Sequence, residues 1–304
     1  MITVLAIELS RGEISYQDPI RKFVPQLNES YYKDVTIGAL ASHTSGLGRD
    51  VGLHLHMHHS ISLADRSLQG YEGEAFLYRH DTLRQEMGLP ERNSTIPKCV
   101  KNSWDQGNNV CSKDVALAMF NNPAYAPRSP NSEPMYSNIA FILLGMALED
   151  VHKKPYKQII QDLILDPVGM THSTFESPDN RSAVLPLLSE EILWRAGDIG
   201  FFNPTGGLWS TPDDMLALLQ ALLSNKLLTK AETRAWLQPR AFTSSVYRTV
   251  GLPWETIRPD DFNVTYRRPI TIPLKEGGVP GYMAWAVLIP EYSKSRTNHV
   301  QFFH

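Results

Sequence analysis

Residues 139–151 read Ile-Ala-Phe-Ile-Leu-Leu-Gly-Met-Ala-Leu-Glu-Asp-Val, apolar on most faces of a helix. A helix of that kind has to be surrounded by protein, so it predicts the centre of a helical layer. Three polar residues, Tyr136, Ser137 and Asn138, stand at its mouth, behind Pro134, which disfavours helix before it. Tyr136 and Asn138 are two apart, so in an extended segment their side chains point the same way. Two readings follow. Either Ser137 or Asn138 caps the helix, or polar groups at a buried helix end take their partners from a substrate.

The remaining chain divides around this helix. Ile2, Leu5, Ala6 and Leu9 recur at helical spacing over residues 1–11, Gly12 is the stop, and nothing caps the start. Asp18-Pro19 begins a connector through Pro25, and Thr36 opens a helix to Ala41. In Ser42-His43-Thr44-Ser45-Gly46-Leu47, Gly46 is predicted to end that helix while Ser42, His43 and Thr44 hold the turn by local hydrogen bonds. A nucleophilic Ser45 is the weaker reading, because neither the strand nor the first glycine of a Gly-x-Ser-x-Gly elbow is present.

Residues 49–130 lose periodicity and read as an irregular insertion, of the kind that rims a binding site. Its histidines at His54, His56, His58 and His59 lack a carboxylate or cysteine at familiar metal spacing. They read as a polar loop with incidental metal affinity, and no metal or cofactor is expected. Lys153-Lys154-Pro155 ends the central helix, 156–165 is the next, and Thr211-Pro212-Asp213-Asp214 starts a helix over 215–223. Residues 251–255, 270–275 and 282–290 read as short strands.

Tyr136-Ser137-Asn138 before a Leu-Leu-Gly helix, Pro155-Tyr156 opening a helix that closes in Leu165-Asp166-Pro167-Val168-Gly169-Met170, and Gly206-Gly207-Leu208 together resemble the serine β-lactamase and penicillin-binding-protein superfamily. Within it the chain looks most like class C β-lactamase-related esterases and acyltransferases, the fungal lactamase-like proteins in particular. The resemblance implies an α+β fold of the β-lactamase/transpeptidase type, a helical domain packed on an antiparallel sheet that is incomplete in this chain. Residues 1–48 would begin the α/β part, 49–130 would be the insertion, 131–235 the helical domain and 236–304 a sheet portion that stops short.

The family's chemistry is acyl transfer through a serine ester, organised by Ser-x-x-Lys, Tyr-x-Asn and Lys-Thr-Gly or a variant. Tyr136 and Asn138 match the second motif, and Lys275-Glu276-Gly277 matches the third at two positions of three. The match implies that Tyr136 shuttles a proton, Asn138 fixes the motif's lysine and the substrate, and Lys275 supplies positive charge. Gly277 and Gly278 would line the substrate, with the Gly278 N–H as the strand-side oxyanion donor. Glu276 stands where the family has Thr or Ser, which weakens carboxylate recognition and draws down the field of Lys275, so β-lactam specificity is not expected.

Ser-x-x-Lys itself is not met in a fitting place; Ser112-Lys113 and Ser293-Lys294 have the wrong spacing. The resemblance would put it on the first helix with its lysine at or before Met1, so the chain reads as N-terminally truncated. A sheet of two or three strands would then leave apolar edges, giving marginal stability or self-association. The enzymatic reading is a serine hydrolase or acyltransferase on small-molecule esters or amides, in a fungal setting an intermediate of secondary metabolism. The alternative is a catalytically inactive relative that keeps the cleft for binding.

Charge narrows the partners. A net charge of -3 with scattered basic residues gives no footprint for nucleic acid or anionic membranes, and no apolar run reaches the ~18 residues of a membrane span. The first residues do not form a signal peptide, yet Cys99 and Cys111 share one polar loop and sequons stand at Asn28, Asn93, Asn180 and Asn263. Two free thiols and unused sequons are one reading. The resemblance favours a disulfide, which would contribute ~3 kcal/mol and need an oxidising compartment. Localisation stays open, secretory if sequence before Met1 carries a signal and cytoplasmic otherwise, and so does the oligomeric state.

Overall fold

The computed structural model describes residues 1–48, 112–178, 183–184, 198–243, 245, 247–258, 270–279, 282–290 and 300–303. Its helices are α1 (Ile2–Arg11), α2 (Glu29–Tyr32), α3 (Ile37–Ala41), α4 (Lys113–Phe120), α5 (Asn138–His152), α6 (Tyr156–Ile160), α7 (Asp166–Val168), α8 (Asn203–Gly206), α9 (Pro212–Leu223) and α10 (Lys230–Trp236). The strands β1 (Ala241–Phe242), β2 (Arg248–Val250), β3 (Glu255–Ile257), β4 (Ile272–Val279), β5 (Tyr282–Val287) and β6 (Val300–Phe303) follow. The fold is α+β, helices with a small antiparallel sheet.

α5 is the central helix that its sequence requires. Ile139, Ala140, Ile142, Leu143, Leu144, Met146, Ala147 and Leu148 are all buried, each large one contributing roughly 1.5–3 kcal/mol. Gly145 sits on that helix where α8 crosses it; a Cβ there would overlap the ring of Pro204. Glycine is therefore demanded by close approach, not by backbone conformation. α1 buries Val4, Leu5, Ala6 and Ile7 and ends at Gly12, whose left-handed backbone (φ 77) returns its N–H to Glu8 and Leu9 carbonyls. Glu8, which the apolar pattern passes over, is buried and pairs with Arg11 at 2.9 Å and with His152 of α5 at 3.4 Å.

Two local expectations change. Gly46 does not end α3, which stops at Ala41 with Ser42 as its cap. Gly46 (φ 75) instead lies where a Cβ would overlap the Arg128 carbonyl, so it lets two chain segments run side by side. The helix expected over 156–165 is α-helical only to Ile160, widens into π turns over Gln161–Leu165, and resumes as α7 before Gly169. Asp214 stands in the acidic first turn of α9 as expected; it is also buried and accepts from the His172 N–H at 2.9 Å and the Ser173 hydroxyl at 2.7 Å, while the Thr211 side chain caps α9.

The sheet is an antiparallel meander in the order β1 to β6. Two or three strands were expected; among the described residues six pair, each with its neighbour in sequence order. Residues 251–254, expected as strand, are the turn between β2 and β3, closed by the Gly251 N–H to the Trp254 carbonyl at 2.7 Å. Glu255 then enters β3 opposite Leu274 of β4, and Lys275 stands opposite Ala286 of β5. The stretch read as an irregular insertion includes α4, whose Phe120 is fully buried and whose carbonyl takes the Tyr32 hydroxyl at 2.9 Å.

The His54–His59 cluster, Cys99, Cys111, Asn93, Asn180 and Asn263 lie outside the described residues. Asn28 is exposed and caps α2, accepting from the Ser30 N–H at 2.9 Å. Among the described residues no helix is long and apolar enough to cross a membrane, and no group of His, Cys, Asp and Glu is arranged to hold a metal.

Candidate active site

Two segments 94 residues apart build the approach to α5. Backbone hydrogen bonds tie Arg128 to Gly46 (2.8 Å), Asn131 to Thr44 (2.7 Å) and Met135 to His43 (2.7 Å), so the chain enters α5 along the His43–Gly46 turn. Ser137 then closes the junction: its hydroxyl caps α5 by accepting from Ala140 N–H at 3.0 Å and donates to the Gly48 carbonyl at 2.9 Å. Of the two capping residues allowed by the sequence, Ser137 is the cap, and it is fully buried. Tyr136 and Asn138, on either side of it, remain partly exposed.

His43 holds Tyr136 in place. Its Nδ1 accepts the Ser137 N–H at 3.1 Å, which assigns the ring proton to Nε2. The buried imidazole stacks on Tyr136 (centroids 4.6 Å, 24° between planes) and on Phe141 (5.0 Å, 19°). His43 was expected to hold the turn by local bonds, and its N–H does donate to the Leu40 carbonyl at 3.3 Å, but its ring also reaches across the fold. Its neighbours add local bonds, Ser42 to Gly38 at 2.8 Å and Ser42 to Thr44 at 2.9 Å.

From the sheet, β4 brings Lys275 over the Tyr136 ring, with Nζ 4.9 Å from the centroid. A cation there stabilises the ring face by about 0.5–2 kcal/mol. Nζ also donates to the Glu276 carbonyl at 2.8 Å and to Glu255 Oε1 at 3.3 Å. Glu255 is fully buried, and its other oxygen stands 3.6 Å from Arg248 Nη1. Arg248, Glu255, Lys275 and Tyr136 thus form one line of contacts from β2 to the mouth of α5. Gly277, next along β4, is exposed with open space where a Cβ would stand, and Gly278 pairs with Met283 of β5.

Tyr136 and Lys275, 139 positions apart by numbering, therefore meet where a helix mouth faces a strand, and Asn138 is the first residue of that helix. Ser45 is buried, its hydroxyl accepting the Leu47 N–H at 3.4 Å. One string does have the Ser-x-x-Lys spacing, Ser30-Tyr31-Tyr32-Lys33, which spacing alone would have found. It lies on the single-turn helix α2, where Ser30 is exposed and donates to Asn28 at 2.6 Å, Lys33 points to solvent as an exposed residue, and Tyr32 is buried between them. His43 and Glu255 are the residues that sequence reasoning missed. For Glu255 the available signal was a lone carboxylate beside apolar Leu252-Pro253-Trp254, since a buried charge must have a partner.

A family model described as Beta-lactamase matches residues 1–80 and 101–293. A beta-lactamase-like protein of Arthroderma benhamiae is 29% identical over 291 residues, covering 93% of this chain and 44% of that protein. A probable hydrolase of Cochliobolus lunatus is 25% identical over 295 residues, covering 96% of this chain and 46% of its own length. The chain thus spans less than half the length of these relatives. Among solved structures, a D-stereospecific amidohydrolase from Streptomyces sp. superposes with a TM-score of 0.64 at 19% identity, covering 96% of this chain and 76% of that one.

Proposed function

The chain belongs to the beta-lactamase family, and on that premise we propose that the whole protein is a serine hydrolase or acyltransferase acting on small-molecule esters or amides through an acyl-enzyme. The observation that carries this reading is Lys275 Nζ lying 4.9 Å over the Tyr136 ring, two motifs far apart in sequence meeting at one helix mouth. On this reading a serine nucleophile and a lysine three residues after it complete the site. In this reading Tyr136 passes the serine's proton to the leaving group. Lys275, over the Tyr136 ring, supplies positive charge at the helix mouth. Asn138 orients the substrate's carbonyl, and the Gly278 N–H gives one hydrogen bond to the oxyanion as it forms. The open face at Gly277 leaves room for the acyl group.

The fungal relative described as a probable hydrolase supports hydrolysis over binding alone; esters and lactones of secondary metabolism are the substrates to try first. The reading is tested by turnover of p-nitrophenyl butyrate with the full-length protein. Tyr136→Phe is expected to lower kcat by at least about tenfold, the lower range for a general acid–base group, with the fold intact by circular dichroism. A smaller loss removes Tyr136 from the mechanism, and absence of turnover in the unmodified protein favours the binding-only relative.

A further inference from the structure

One residue grips Tyr136 and both of its chain neighbours. The N–H of Met135, before it, donates to the His43 carbonyl at 2.7 Å, and the N–H of Ser137, after it, donates to His43 Nδ1 at 3.1 Å. Between those bonds the His43 ring stacks on the Tyr136 ring, 4.6 Å between centroids. Bonds to the flanking amides fix where the Tyr136 Cα stands, but they leave its side-chain torsions a choice of rotamers. The ring contact narrows that choice. It is itself firm, because the imidazole is buried, tied by its Nδ1 bond and stacked on Phe141 at 5.0 Å as well. Presenting the ring this way holds His43 at φ 57, a conformation uncommon in residues other than glycine.

Aim matters more for some substrates than for others. A general acid must stand within hydrogen-bond reach of the oxygen it protonates. p-Nitrophenolate departs readily as an anion; the more basic phenolate gains more from a proton delivered as its bond to the acyl carbon breaks. We propose that His43 is a positioning residue for Tyr136: its stacked ring aims the phenol hydroxyl at the leaving oxygen, so that acceptance of esters with basic leaving groups depends on it. In that step the serine oxygen bonds the acyl carbon, the ester's carbon–oxygen bond breaks, and the serine proton ends on the departing oxygen by way of Tyr136. His43 touches no reacting atom. The proposal rests on the acyl-transfer reading and deepens it by naming what sets the range of leaving groups.

The test compares kcat/KM of the full-length protein for p-nitrophenyl butyrate and phenyl butyrate, which share an acyl group and differ in leaving group. Their ratio does not change with the fraction of folded enzyme, so a merely structural role leaves it alone. His43→Asn suits the left-handed backbone and removes both ring contacts. It is expected to lower kcat/KM for phenyl butyrate by at least about fivefold more than for p-nitrophenyl butyrate. His43→Phe keeps the stacking and should hold the ratio within about twofold of the unmodified protein, although the Nδ1 acceptor is gone. Tyr136→Phe should move the ratio as His43→Asn does, and adding His43→Asn to it should change the ratio by less than about twofold, because the two act through one group. A ratio that Tyr136→Phe moves and His43→Asn does not, shifts that multiply in the double variant, or a shift in His43→Phe equal to that in His43→Asn overturns the proposal and leaves the acyl-transfer reading standing. A ratio unmoved by Tyr136→Phe, or no turnover of either ester by the unmodified protein, overturns that reading and the positioning role with it. If His43→Asn does not fold, His43→Leu, apolar and without a ring, takes its place with the same expected shift.

Discussion

A single imidazole decides how Tyr136 is presented. His43 is held at φ 57, buried, and sandwiched between Tyr136 and Phe141 while its Nδ1 takes the Ser137 N–H. His43→Ala removes two ring contacts and leaves a buried N–H unpaired. It is expected to destabilise the fold by roughly 2–4 kcal/mol, read as a shift in the urea midpoint. His43→Phe keeps the stacking and loses only the acceptor, so its cost should be nearer 1–2 kcal/mol. Equal losses from the two variants would mean that stacking on Tyr136 contributes nothing. Tyr136 and Lys275 were legible in the sequence as motif residues; His43 and Glu255 were not, because each acts on a partner in another part of the chain. Local patterns carry no record of such contacts.

Elements were legible where their ends are written in side chains. Gly12 stops α1, Thr36 caps α3 and Thr211 with Pro212 starts α9, each by a hydrogen bond or backbone angle that the residue type itself dictates. The Gly46 role was misread because its reason is a neighbour: the Arg128 segment passes too close for a Cβ. Gly46→Ala combines that overlap with a positive φ and is expected to cost roughly 2–4 kcal/mol, visible as a lowered midpoint in denaturant. A near-neutral effect would show that the 43–46 and 128–135 segments are not held together as described. Residues 251–254 failed as strand for a comparable reason, since an apolar run of Leu, Pro and Trp serves a buried turn as well as it serves a strand.

At the scale of the molecule, ion pairs lock the helical layer and make its stability respond to acid. Lys157 of α6 bonds Asp198 at 2.6 Å and Glu176 at 2.9 Å, and Asp198 in turn accepts from Asn203 of α8 at 2.6 Å. Burial works to raise the Asp198 pKa, but the hydrogen bonds from Lys157, Asn203 and the Gly200 N–H outweigh it and hold the carboxyl below its ordinary value. The unfolded chain therefore takes up this proton first. The contribution is complete above the unfolded carboxylate value of about 3.9 and is lost as pH falls through the lower folded value. Asp198→Asn is expected to lower stability at neutral pH and to flatten its decline below about pH 5, measured by denaturation at a series of pH values. An unchanged slope would exclude Asp198 as an acid-sensitive tie.

The claim on which the rest depends is that Tyr136 and Lys275 serve a serine nucleophile. The direct measurement is to treat the natural full-length protein with a fluorophosphonate and map the modified serine by peptide mass spectrometry. The expected result is a single label on a serine, other than Ser30, followed three residues later by lysine, and weakened in Tyr136→Phe. Label on Ser30, Ser45 or Ser137, or on no serine at all, would contradict it.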